Sequence, residues 1–245
     1  MLIKKLFSSL TNTLYGFGML MSAFFITWCL LSRVDFFYPS LHQQLDITAT
    51  VSEFGPKNRY KDGFETTTPE QHFTYFSNIV AAINNDGKGL DDIYYPYQNS
   101  QIKLLRKAEV LHLQDVAFLL NKLSIFSYAM MILALMILIY RYRNKRKLPS
   151  VKKQFIQLII FISSLTIVSG IVGFKEVFYW FHRVSFPENN EWFFYYQDSL
   201  MTTMMQAPTL FAPISVLLVI CTCICFVLLN VLIIASYEKL VTNTK

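Results

Sequence analysis

The chain has 245 residues, of which 53% are hydrophobic, with a mean hydropathy of +0.37 and a formal net charge of +6. The apolar residues come in blocks of about 20, the length that carries a helix across ~30 Å of hydrocarbon, so an ordinary water-soluble domain is excluded. The positive charge is concentrated in one short loop between two such blocks, which speaks against a nucleic-acid-binding face and for contact with anionic lipid headgroups.

In chain order, residues 1–13 form a short N-terminal segment with Lys4 and Lys5, and 14–32 the first transmembrane helix. The stretch Leu14–Leu31 is long and no small-residue cleavage pattern follows it, so it reads as a retained span, not a signal peptide. Residues 33–115 are the only sizeable polar region. Within it, alternation and β-branched residues over 45–54 (LDITATVSEF) predict a short strand, ended by GPKNRYKDG. Thr68, Pro69 and Gln71 then make a helix start, and Phe73, Phe76, Ile79, Val80 and Ile83 recur at helical spacing up to Asn84–Gly89. A turn or extended piece is expected at 91–100. From Gln101 a helix is expected to run unbroken into the second span, 116–140, near whose start Asn121 and Lys122 interrupt the apolar run.

The segment RYRNKRKLPSVKK within 141–154 has seven Lys or Arg in thirteen residues, a strong cytoplasmic signal for a short loop. The third span is 155–174, followed by a loop at 175–209 that opens with the aromatic cluster Phe178–Phe181. The fourth span is 210–236 and the tail is 237–245, with Lys239 and Lys245. The fold class is therefore an all-α membrane protein of four transmembrane helices. A mixed extracytoplasmic segment lies between helices 1 and 2, and both termini are cytoplasmic. The cysteines Cys29, Cys221, Cys223 and Cys225 all fall in spans, and the alternate spacing of the last three turns them to different helix faces, which suits filler better than a metal site or disulfide.

Two of the four histidines occupy matching places. His112 lies just before the second span in EVLHLQDV (109–116), and His182 lies after the third in FHRVSFPENNEWFF (181–194). In this topology both face the same side of the membrane at similar depth. On a helix Glu109, His112 and Asp115 are spaced i, i+3, i+6, so the two carboxylates are placed to orient and charge-tune His112. Taken singly, each segment also reads as the polar face of an interfacial helix. His42 and His72 lie in the outer segment without a ligand motif, so no metal is expected. No nucleophile elbow, zinc-protease motif or phosphate loop occurs. A transporter is disfavoured, because no charged residue lies deep in a span.

The order of one span, a long outer segment, an E-x-x-H-x-x-D-V box leading into span two and an F-H-x-x-x-F box after span three resembles the lipoprotein intramolecular transacylase (Lit-type) family of bacterial membranes. Asp198, in YYQDSLMTTMMQAP, and Phe211–Pro213 continue the likeness. The resemblance implies an acyltransferase of the bacterial cytoplasmic (inner) membrane, with its active site at the extracytoplasmic face. It would act on diacylglyceryl-modified lipoproteins among membrane lipids and move the sn-2 acyl chain to the cysteine α-amino group, giving a lyso-form lipoprotein without a cofactor. On this reading His112 and His182 are the catalytic pair, Glu109 and Asp115 support it, and Arg183, Trp192 and Asp198 contact substrate. No serine or cysteine nucleophile is needed, because amine and ester share one substrate molecule. The competing readings are a non-enzymatic adaptor or assembly factor, in which the histidines are passive, and a hydrolase that releases the chain to water.

Overall fold

The computed structural model describes residues 2–243, with side chains from Leu6 to Thr242. Its helices in chain order are α1 (Leu2–Ser32), α2 (Tyr38–Gln44), α3 (Ile47–Phe54), α4 (Pro69–Ile83), α5 (Lys107–Arg143), α6 (Val151–Val172), α7 (Phe174–Ser185), α8 (Leu200–Met205) and α9 (Phe211–Asn243). A hairpin of β1 (Tyr94–Tyr97) and β2 (Ser100–Lys103) lies between α4 and α5. Lys4, Lys5 and Lys245, three of the orientation signals, lie outside the described side chains.

The chain divides into two compact units. The first comprises the chain up to Leu30, Leu123–Gly173 and the residues from Val216 on, and it contains the apolar bodies of α1, α5, α6 and α9. These four helices are long and apolar enough to cross a membrane. Their shared core holds Tyr15, Met19 and Ala23 of α1, one turn apart, with Ala134, Ile137, Leu158 and Phe226. Gly18 lets α1 approach α5: a Cβ there would stand 2.7 Å from the Met130 carbonyl oxygen and 2.8 Å from Ala134 Cβ. Outward-facing side chains such as Ile132, Ile160, Phe161, Ile171 and Leu232 stay exposed, which is costly in water and neutral in lipid. At one end, Arg141 donates to Thr11, Asn12 and the Lys147 carbonyl, tying the basic loop to α1.

The second unit comprises Leu31–Lys122 and Phe174–Ser215. Tyr38 is its centre, stacked on Phe76 at 4.0 Å and donating its hydroxyl to the Met204 carbonyl at 2.8 Å, so α2, α4 and α8 share one buried ring. The expected helix at 69–83 is present, with a complete capping box between Thr68 and Gln71 and Pro69 in the first turn.

Two local expectations are corrected. Residues 45–54 are not a strand: Ile47–Phe54 form α3, because Asp46 caps it by accepting from the Ala49 N–H, and Ile47 and Val51 bury one helical face at i, i+4. Gln101 does not begin a helix. Residues 100–103 pair with 94–97 across a turn at Gln98–Asn99, where Gln98 has φ +52°. Tyr97 packs over Gly63 so closely that only a residue without Cβ fits beneath the ring. Helix α5 starts only at Lys107, where Glu109 reaches back to accept from the Arg106 N–H.

Candidate active site

The second unit brings His112 and His182 together. His112 projects from the first turns of α5 and His182 from α7, and their ring centroids are 5.9 Å apart. Only 7% and 8% of their surfaces remain exposed, although both are polar. The cover is aromatic. Phe186 lies 5.0 Å from His112 and 5.2 Å from His182, Phe178 lies 4.0 Å from His182, and Trp192 lies 5.0 Å from it. Phe194 stands 6.2 Å from His112 on another side.

The helix fixes the tautomer of His182. Its Nδ1 lies 2.8 Å from the Phe178 carbonyl oxygen one turn back. A carbonyl only accepts, so Nδ1 carries the hydrogen and Nε2 of the neutral ring keeps a free lone pair. His112 Nδ1 is buried with no hydrogen-bond partner. Burial, then the neighbouring His182, lowers the His112 pKa to about 4. Burial also lowers that of His182, against the opposing effect of the Phe178 carbonyl. Both rings are thus neutral near pH 7, as a proton acceptor must be.

The carboxylates expected to orient His112 are engaged elsewhere. Asp115 accepts from the Asn190 side-chain amide at 2.6 Å, which fastens the loop after α7 to α5. Glu109, fully buried, accepts from the Ser199 hydroxyl, from the Arg106 N–H and, at 3.4 Å, from the Met201 N–H. Burial pushes its carboxyl upward, while the Ser199 and Arg106 hydrogen bonds pull it down. Among the described residues neither carboxylate makes a hydrogen bond to an imidazole. Trp192 is half-buried against His182, and Arg183 is exposed next to it in α7. Asp198 forms an ion pair with Arg59, Nε to Oδ1 3.0 Å, beside a backbone bond from Arg59 N–H to the Gln197 carbonyl.

Three contributors were not singled out as site residues in the sequence. Phe186, which ends the F-H-x-x-x-F box, and Phe178, which opens the aromatic cluster, close the cage at i±4 from His182. Ser199 both caps α8, accepting from the Thr202 N–H, and donates to Glu109 across ninety positions of sequence. His42 and His72 form a second buried pair, Nε2 to Nδ1 3.0 Å. Thr67 donates to the Phe64 carbonyl, so its oxygen accepts from His72 Nε2–H at 2.7 Å, and His72 Nδ1 in turn accepts from His42 Nε2–H. That relay satisfies two neutral rings and offers no third ligand. Among the described residues no group of three His, Cys, Asp or Glu side chains is placed to hold a metal ion.

The model of the family described as lipoprotein intramolecular transacylase Lit matches residues 19–211, a span that includes both histidines of the pair. Solved structures of the membrane integral lipoprotein intramolecular transacylase Lit from Bacillus cereus have the same fold. A form with arginine in place of one histidine gives a TM-score of 0.67 at 16% identity, over 99% of this chain and 95% of the other. Another form gives 0.66 at 16% identity over 96% of each chain. A form with alanine at a histidine gives 0.64 at 17% identity, over 99% and 97%. A comparison with curated proteins found no match.

Proposed function

The chain belongs to the Lit family and is a membrane-integral lipoprotein intramolecular transacylase; from that premise we propose that His112 and His182 carry out the transfer at the extracytoplasmic face of the bacterial cytoplasmic membrane. The substrate is a lipoprotein whose N-terminal cysteine bears a thioether-linked diacylglycerol. The acyl chain at sn-2 moves to the cysteine α-amino group, leaving one chain on glycerol.

The free lone pair on His182 Nε2 is the observation that carries this reading. The neutral amine attacks the ester carbonyl, and as the C–N bond forms His182 Nε2 takes the amine proton. The tetrahedral intermediate expels the glycerol oxygen, to which the same imidazolium returns the proton. An N–H of His112 is the donor for the oxyanion. Ester and amine are joined by the glycerol and the cysteine, so attack is intramolecular and needs little further entropy loss. The aromatic cover of Phe178, Phe186 and Trp192 keeps water from competing with the amine. Glu109 and Asp115 are positioning residues, acting through Ser199 and Asn190. Trp192 and Arg183 border the entry for substrate. Asp198 positions the segment before α8 through Arg59.

The test is mass spectrometry of a reporter lipoprotein's N-terminal lipopeptide. The chain is expressed in a bacterial host that makes only diacylglyceryl lipoproteins, beside His112→Ala and His182→Ala forms of equal abundance. The expected product has unchanged mass, with one acyl chain amide-linked to cysteine and lost from glycerol, and it disappears in both variants. Full activity in both variants refutes the pair. A lipopeptide lighter by one acyl group indicates hydrolysis.

A further inference from the structure

A cavity of about 570 Å³ lies within the second unit, beside the histidine pair but not part of it. Its walls include Phe174 and Tyr179 of α7, Phe194 and Tyr196 of the following segment, Thr202 of α8 and Pro208. That volume is in the range of pockets that hold small ligands, and its lining is the apolar, aromatic type such pockets use. No histidine or carboxylate lines it, and its single charged residue is the exposed Lys175. The cavity therefore has no chemistry of its own, but it has the walls to hold hydrocarbon.

Its position gives that a purpose. Tyr179 lies 5.7 Å from Trp192, whose ring lies 5.0 Å from His182. Phe194, another wall, lies 6.2 Å from His112. Cavity and pair thus share their partitions. An ester that reaches two buried imidazoles brings its first methylenes out of the bilayer with it. Exposing them to water is unfavourable, and an apolar cavity next to the reacting carbonyl removes that penalty.

We propose that this cavity holds the hydrocarbon chain of the acyl group in transfer; the assignment rests on the transacylase reading above. During the reaction the carbonyl carbon exchanges its bond to glycerol oxygen for one to cysteine nitrogen, and the amine proton passes to that oxygen. The carbonyl's bond to its own chain is untouched. A chain seated in the cavity is thus a pivot common to ester, intermediate and amide. The filling of the cavity sets acyl-chain preference.

The experiment uses the purified full-length protein in detergent and synthetic diacylglyceryl-cysteine lipopeptides in two series. One varies the sn-2 chain (octanoyl, lauroyl, palmitoyl) with palmitoyl at sn-1, and the other varies sn-1 alone. Thr209→Trp narrows the cavity at an exposed lining residue, and Phe193→Ala widens it. Thr209→Trp is expected to lower palmitoyl transfer at least tenfold relative to octanoyl in the sn-2 series and leave the sn-1 series flat, with Phe193→Ala shifting preference the other way. An unchanged sn-2 profile, a loss equal at all lengths in properly folded protein, or an effect that follows sn-1 overturns the proposal. If Thr209→Trp yields little folded protein, a diazirine at the end of the sn-2 chain decides: labelling within residues 174–179 or 193–209 supports the cavity, and labelling elsewhere overturns it. The catalytic reading fails separately. His182→Ala that keeps its rate while the chain-length shift persists removes the base and leaves the cavity.

Discussion

The carboxylate of Asp115 accepts a hydrogen bond from the Asn190 amide at 2.6 Å, joining the helix that carries His112 to the loop that follows His182. The two histidines come from segments seventy residues apart, and this contact is one of the few polar ties between those segments. Asn190→Ala is expected to lower transacylation about tenfold while the protein remains folded, because a loosened loop moves reacting atoms out of range. Asp115→Asn, which can still accept from Asn190, is expected to recover most of that rate. Lipopeptide product formed per minute is the readout, and equal rates for Asn190→Ala and wild type would remove the tie from the mechanism.

Removal of either imidazole is expected to have a larger effect. General acid–base catalysis contributes on the order of 10²–10⁴ in rate, so His182→Ala should fall in that range. His112→Ala loses an oxyanion donor and should drop by roughly 10²–10³. The double variant should be little worse than the worse single one, since the two act as one unit. Additive losses in a kinetic cycle would show that the rings act independently.

The pH profile follows from the direction of the shifts. Burial depresses both imidazole pKa values, that of His112 to about 4, so both rings are neutral at the ordinary imidazole value near 6.5. The substrate's own α-amine, with an ordinary pKa of about 7.7–8, must also be neutral, so the rate is expected to fall through that range on acidification and, once divided by the fraction of neutral amine, to stay level until below 6.5, where the base is protonated. A residual acid limb centred above 6.5 would contradict the burial of the pair.

Glu109 distinguishes a positioning carboxylate from one that needs its charge. Glu109→Gln keeps one acceptor oxygen, enough for the Ser199 hydroxyl and Met201 N–H, and turns its amide NH2 toward the Arg106 N–H, so it should lose one hydrogen bond and keep part of the stability and activity. Glu109→Leu leaves those donors unpaired, at a cost on the order of 3 kcal/mol. Thermal melting in detergent should separate the two variants by several degrees. Equal melting temperatures would mean that water replaces the carboxylate.

The His42–His72–Thr67 relay predicts acid sensitivity of another kind. The folded pKa of His72 lies at about 4, against 6.5 for the free ring, because of burial and then His42. Between those values the unfolded chain binds more protons, so stability decreases as pH falls from 6.5 to about 4, by roughly 3 kcal/mol in total for this residue. His112 adds to the loss in the same sense. Replacing both relay histidines, as in His42→Leu with His72→Met, should flatten the melting temperature measured over that window. An unaltered slope would place the acid sensitivity elsewhere.

What the sequence conveyed depended on how local each feature was. The spans were legible because twenty apolar residues in a row have few other solutions, and α4 because Thr68, Pro69 and Gln71 state its start within four positions. The histidine pair was reached through boxes around His112 and His182. The partners of Asp115 and Glu109 were not legible for a physical reason: helical spacing places a carboxylate near an imidazole, but a distant amide or hydroxyl with better geometry takes the hydrogen bond. α3 was missed because β-branched residues outweighed a single capping aspartate, and the hairpin because its pairing depends on Tyr97 finding Gly63. The relay at His42 and His72 joins positions thirty residues apart that share no motif, and only the packing of α2 on α4 creates it.

The hydrogen bond from His182 Nδ1 to the Phe178 carbonyl also makes the ring chemically one-sided. An electrophile small enough to pass the aromatic cover meets a single nucleophilic nitrogen, so carbethoxylation or alkylation of this residue should give one regioisomer where a free histidine gives two. A reagent shaped like an ester and aimed at Nε2 would then carry its label to a defined atom, and occupancy of the site by a lipid becomes measurable as protection of that atom.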